Sequence, residues 1–146
     1  MKKTLTTMLI FLSLALILGL LAGRSLLAQT ADMSVANSLA ANGRYAEAAQ
    51  AYDNARQIGL PQRMFRYQFG PFFSYFHANR IEDLMAVTKY ALQITDNSEE
   101  AYLWQGWGYY REGNTAAALS SFNAALSANP SYTDAQYAID FVNGGG

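Results

Sequence analysis

Few side chains in this sequence could carry out chemistry, and their spacing limits what that chemistry could be. His77 is the only histidine, and there is no cysteine. Cys-ligated zinc and iron–sulfur sites are therefore excluded, any other metal site has little to build from, and no thiolate nucleophile exists. A lone imidazole could serve a nucleophile–His–acid arrangement, but no motif marks its partners. His77 reads as a surface or packing residue. The acid pairs Glu82-Asp83 and Glu99-Glu100 have the adjacency of acid/base partners, yet each sits where a helix begins. Carboxylates there meet the positive end of the helix dipole, so both pairs read as solvated first-turn acids. No glycine-rich phosphate loop occurs. No metal, no cofactor and no catalytic residue is expected, and the expectation is that the protein is not an enzyme.

Binding is better represented than reaction. The stretch "YQFGPFFSYFH", Tyr67 to His77, holds six aromatic residues in eleven positions. It is too short to cross a membrane and includes Gln68 and His77, so it is not a lipid segment. Aromatic side chains with a nearby arginine are typical anchors of protein interfaces.

The rest of the chain must position these residues. It has 146 residues, one domain's worth, with 51% hydrophobic and 14% charged residues and a net charge of −1. Lys2, Lys3 and Arg24 lie near the N-terminus, which leaves seven basic against all eleven acidic residues, about −4, in the body. A mildly acidic body without a basic patch is a poor polyanion binder, so no nucleic acid partner is expected. The lack of cysteine fits an exported domain held by apolar packing alone.

Residues 1–28 read as an N-terminal membrane anchor or signal segment. After "MKK", a span of about residues 4–23 carries no charge. Twenty helical residues reach about 30 Å, the hydrocarbon thickness of a bilayer. A cleaved signal usually has a shorter apolar stretch ending at small residues spaced A-x-A. Ala28 and Ala22 are preceded two places earlier by leucines, which favours an uncleaved single-pass anchor. In either reading Lys2 and Lys3 stay cytoplasmic and the body is extracytoplasmic: membrane-tethered, or secreted or periplasmic after cleavage. Gly19 and Gly23, with Ala15 one turn earlier, could let a second helix approach closely.

From about residue 30 the chain reads as short amphipathic helices broken by turns, without strand alternation. Three segments align on their turns: "LAANGRYAEAAQAYDNARQI", "YFHANRIEDLMAVTKYALQI" and "YYREGNTAAALSSFNAALSA". Their turn residues Gly43, Asn79 and Gly113 are spaced by 36 and then 34. Small residues at Gly106 and Ala118, and at Ala36 and Ala48, would face each other across a helical hairpin and let the backbones approach. Ala55, Ala91 and Ala125 would sit against the first helix of the following unit. Ser98 starts a helix, Asn129-Pro130 ends one, and "TDAQYAIDFVN" reads as a last amphipathic helix covering the end of the stack.

On these residues the sequence resembles tetratricopeptide repeats, helix–turn–helix units of about 34 residues. In the third copy Tyr102, Gly106, Tyr109, Gly113, Ala118, Phe122, Ala125 and Pro130 match the motif, with Gln105 in place of the usual leucine. In the first, Ala36, Leu39, Gly43, Ala48, Tyr52 and Ala55 match, and Pro61 is one place late. The middle copy keeps Tyr75, Asn79 and Ala91 but has Phe72 at a small position, Leu84 for alanine and Thr88 for the aromatic. The implied fold is all-α: a hydrophobic helix, a short solenoid over residues 29–143, and a Gly tail at 144–146. Its units are expected at about 29–62, 63–98 and 99–132, with a capping helix at 133–143. Gly70-Pro71 is expected to bend or split a helix over 61–78.

The resemblance also implies a groove lined by the first helix of each unit. By motif position it would present Thr30, Met33, Asn37, Ala40 and Ala41, then Arg66, Phe69, Phe73, Phe76 and His77, then Glu100, Leu103, Trp107, Tyr110 and Arg111. Lysine and asparagine of the family's peptide-carboxylate clamp are not at these places. Phe72 and Tyr75 would turn inward. The function implied is protein–protein interaction: a docking, assembly or accessory subunit of a membrane-associated complex, taking an apolar helix or extended segment of a partner. A self-associating, polymer-forming exported repeat protein is the alternative, and glycan binding through the aromatics a further one.

Overall fold

A computed structural model describes residues 13, 15, 32–57, 70–94 and 98–144. The span expected over residues 4–23 lies outside these, apart from Ser13 and Ala15. No helix among the described residues is long and apolar enough to cross a membrane. All regular structure among them is helical. In chain order the helices are α1 (32–41), α2 (Tyr45–Gln57), α3 (Gly70–His77), α4 (Ile81–Ile94), α5 (Ser98–Arg111), α6 (Thr115–Ala128) and α7 (Thr133–Gly144).

Three turns, α1–α2, α3–α4 and α5–α6, are built alike. Each first helix ends on a residue in the left-handed region: Gly43 at φ 74°, Asn79 at φ 57° and Gly113 at φ 77°. The amide of that residue donates to the carbonyl three places back: Gly43 to Ala40, Asn79 to Phe76 and Gly113 to Tyr110, each at 3.0 Å. The next amide reaches five places back: Arg44 to Leu39 at 2.9 Å, Arg80 to Tyr75 at 2.8 Å and Asn114 to Tyr109 at 2.9 Å. This pair of bonds satisfies carbonyls that a helix C-terminus leaves open, and it needs a positive φ, which glycine and asparagine tolerate best. The carbonyl of the following residue (Arg44, Arg80 or Asn114) then accepts from Ala48, Leu84 or Ala118 and starts the second helix.

Burial repeats with the same spacing. Ala36, Phe72 and Gly106 are buried, as are Ala48, Leu84 and Ala118, then Tyr52, Thr88 and Phe122, then Ala55, Ala91 and Ala125. In the third hairpin the Phe122 ring lies so close to Gly106 that a Cβ there would overlap it. The middle hairpin exchanges these volumes: the ring comes from the first helix, Phe72, and the small residue, Thr88, from the second. The Thr88 hydroxyl is buried at no loss, since it donates to the Met85 carbonyl at 3.1 Å. The middle segment departs from the pattern residue by residue but conserves buried volume, which cores tolerate well.

Neighbouring hairpins pack in order, α2 on α3, α4 on α5 and α6 on α7, with α3 also beside α5. A Cβ on Gly108 would come 2.6 Å from Met85 Sδ, so this glycine lets α4 lie close to α5. The first and middle hairpins are also joined by a polar tie. Asp53 of α2 accepts from Tyr75 Oη at 2.5 Å and pairs with Arg80 at 2.8 Å, while Arg80 Nε also bonds Asp83 at 2.7 Å. Pro71 is buried in the first turn of α3, where the missing N–H has no helical partner to lose. The described helix runs over Gly70–His77; the bend or split expected in a helix over 61–78 falls partly on residues 58–69, which lie outside the described residues.

Two stability outcomes follow. Gly113→Ala and Asn79→Ala should each cost about 1–2 kcal/mol in urea denaturation, while Asn79→Gly costs nothing measurable. A Gly113→Ala protein as stable as the parent contradicts the turn assignment. Gly106→Ala should cost about 1–3 kcal/mol through overlap with Phe122, whereas Gly144→Ala, with open space around it, should not.

Candidate functional site

The repeated turns bring the first helices α1, α3 and α5 to one side, and an open hollow of about 510 Å³ lies among them. Asn37 and Ala40 of α1, Tyr52 of α2, Gly70 and Phe73 of α3, and Glu100 and Trp104 of α5 line it. Tyr52 joins two of its walls. Its hydroxyl donates to Asn37 Oδ1 at 2.5 Å and lies against Gly70, where any Cβ would overlap it. Gly70 is therefore required by close approach. Burial pushes the Tyr52 phenol up to about 12, so it remains a neutral donor.

One wall is aromatic. Phe73 is partly exposed, and its ring meets Trp104 at 5.6 Å and 86°, forming a corner of two rings. Phe73 also meets Tyr45 at 5.3 Å and His77 at 4.2 Å, and Phe76 meets Trp104 at 5.5 Å. The Arg111 guanidinium stands 4.7 Å over the Phe76 ring. Burial among these rings, and then the nearby Arg111 charge, lower the His77 pKa and favour the neutral imidazole at neutral pH.

Glu100 is the charged group of the hollow and is only 7% exposed. Trp104 Nε1 donates to its Oε1 at 2.6 Å, and the Tyr132 hydroxyl, from the turn before α7, donates to its Oε2. Burial pushes its pKa up against the opposing pull of these two bonds, with Asp134 and Glu99 adding like charge. This corrects the reading of Glu99-Glu100 as a solvated pair. Glu100 faces inward because the turn after α6 brings Tyr132 back over the start of α5.

Of the residues expected in the groove, Asn37, Ala40, Phe73 and Glu100 line the hollow, and Phe76 and His77 stand at its aromatic wall. Leu103 differs: it is 5% exposed and belongs to the C-terminal core with Ala118, Phe122 and Ala125. Trp107 and Tyr110 are partly buried and meet Phe141 of α7 edge-on at 5.8 Å and 5.9 Å. Arg111 is exposed, and Phe69 lies outside the described residues. Phe72 and Tyr75 are buried. Trp104, Tyr52 and Gly70 were not expected here. The signal for Trp104 was its place four residues after Glu100, on the same helical face. Among the described residues, no group of three or more His, Asp or Glu side chains could hold a metal ion.

A comparison of the sequence with protein-family models finds no match, and neither does a comparison with curated proteins.

The raised carboxyl has a consequence in pH. A group whose folded pKa lies above its unfolded value contributes fully below the latter and loses that contribution as pH rises through the former. Relative to Glu100→Gln, the native chain should therefore lose stability as pH rises above the ordinary carboxyl value of 4.5. Thermal midpoints of both chains between about pH 4 and pH 7 check this. A difference independent of pH contradicts the buried, ionisable Glu100.

Proposed function

We propose that this chain is a non-enzymatic interaction module: a short solenoid of tetratricopeptide-like hairpins that docks a partner protein across α1, α3 and α5. Residues 4–23 tether it to a membrane, with the hairpins on the extracytoplasmic side, as a docking or assembly subunit of a larger complex. The observation that carries the reading is the hollow spanning three hairpins, with an aromatic corner at Phe73 and Trp104 beside an open face. A surface drawn from several rigid helices suits an extended or helical partner segment. Partly exposed aromatic anchors supply binding energy when a partner dries them. The threefold recurrence of turn geometry and burial supports the solenoid part of the reading.

Affinity capture of the full-length chain from detergent-solubilised membranes tests it, with intact mass measured on the captured protein. The tether requires a mass that retains residues 1–28; loss of that segment means a cleaved signal. Phe73→Ala combined with Trp104→Ala should lower recovery of the partner at least tenfold, about 1.4 kcal/mol, with the helical circular dichroism retained. Tyr137→Ala, at a residue of α7 that is 65% exposed and does not line the hollow, should leave recovery unchanged. Undiminished capture by the double variant would show that the hollow is not the docking surface.

A further inference from the structure

The hollow between α1, α3 and α5 holds an ionisable carboxyl and, among the described lining residues, no cationic side chain. Among the described residues that line it, Glu100 is the only acidic or basic one. Both carboxylate oxygens are met by neutral donors, the Trp104 indole and the Tyr132 phenol, and among the described residues no cation pairs with it. Asp134 and Glu99 lie close enough to add negative field. Among the described residues, the Arg111 guanidinium stands over the Phe76 ring and does not pair with Glu100.

We infer that the hollow receives a basic side chain, arginine or lysine, of a partner polypeptide. The inference rests on the interaction-module reading and specifies its chemistry. A carboxylate in a partly dried site is stabilised by a cation placed beside it, because the lost hydration is replaced by direct attraction. Each oxygen has accepted one hydrogen bond and retains a lone pair for another. The corner of Trp104 and Phe73, with centroids 5.6 Å apart and planes at 86°, offers ring surface to the same cation, which the negative faces of aromatic rings attract. An acidic side chain would be repelled. An apolar one would dry Glu100 further with nothing to compensate the charge. The volume, about 510 Å³, exceeds a lone ammonium ion and is open to solvent, so it can admit a long side chain still attached to a backbone.

The test uses the full-length protein in detergent with Trp107→Phe, which leaves Trp104 as the single tryptophan and its emission as the readout. The probes are acetyl-Gly-Arg-Gly-amide, its lysine, citrulline and glutamate counterparts, and tetramethylammonium chloride. The arginine or lysine tripeptide should half-saturate the emission change at a concentration at least tenfold below the citrulline tripeptide. Glu100→Gln should remove most of that difference. The citrulline comparison needs no change at Glu100, so it decides even where the Gln variant folds poorly. Equal binding of the arginine and citrulline tripeptides overturns the inference, as does preference for the glutamate one. Tetramethylammonium binding as tightly as the basic tripeptides assigns the hollow to a free organic cation and overturns the polypeptide source. A partner captured equally by the native and Glu100→Gln chains sinks the cation inference while leaving the docking reading intact. Basic-tripeptide preference in a chain that captures no partner sinks the docking reading instead.

Discussion

Each hairpin depends on one residue being able to hold a left-handed backbone. Gly43, Asn79 and Gly113 let the chain fold back after α1, α3 and α5 while two amides close the carbonyls at each helix end. The three turns are alike, and the first helices α1, α3 and α5 meet around the hollow. The hollow is a consequence of that repetition. Nothing in its lining residues would assemble it without the turns, since they come from four different helices.

Packing then sets how far the helices approach. Gly106 admits the Phe122 ring, Gly108 admits Met85, and Gly70 admits the Tyr52 hydroxyl. The last of these bears most directly on the hollow, because the same hydroxyl holds Asn37 and so joins α1, α2 and α3 around it. Glu100 is the counterexample to an apolar interior. Its burial opposes ionisation, and the hydrogen bonds from Trp104 and Tyr132 offset part of that cost.

Much of the fold was legible in the sequence, for identifiable reasons. The turn residues stood out because glycine and asparagine tolerate a positive φ best, so their 36- and 34-residue spacing marked the turns. The inward turn of Phe72 and Tyr75, and the outward turn of Phe73 and His77, followed from register counted back from Asn79. The middle hairpin looked irregular because position-by-position matching cannot register that Phe72 and Thr88 trade volumes between two helices. The site was less legible. Trp107 and Tyr110 are aromatic at groove positions, and their contact with Phe141 of α7 is a tertiary fact with no local trace. Glu100 read as a solvated first-turn acid because its burial depends on Tyr132, thirty-two residues away.

The central claim is that α3 and α5 stand side by side, so that rings from two hairpins share one wall with a buried carboxylate. The most direct measurement is the nuclear Overhauser pattern of the Trp104 indole N–H in the isotope-labelled full-length protein in detergent. The account predicts cross-peaks from Trp104 to the rings of Phe73 and Phe76, and an indole N–H shifted downfield by its bond to Glu100. Cross-peaks confined to residues 98–132, with an indole N–H at the position of a solvated tryptophan, would contradict it.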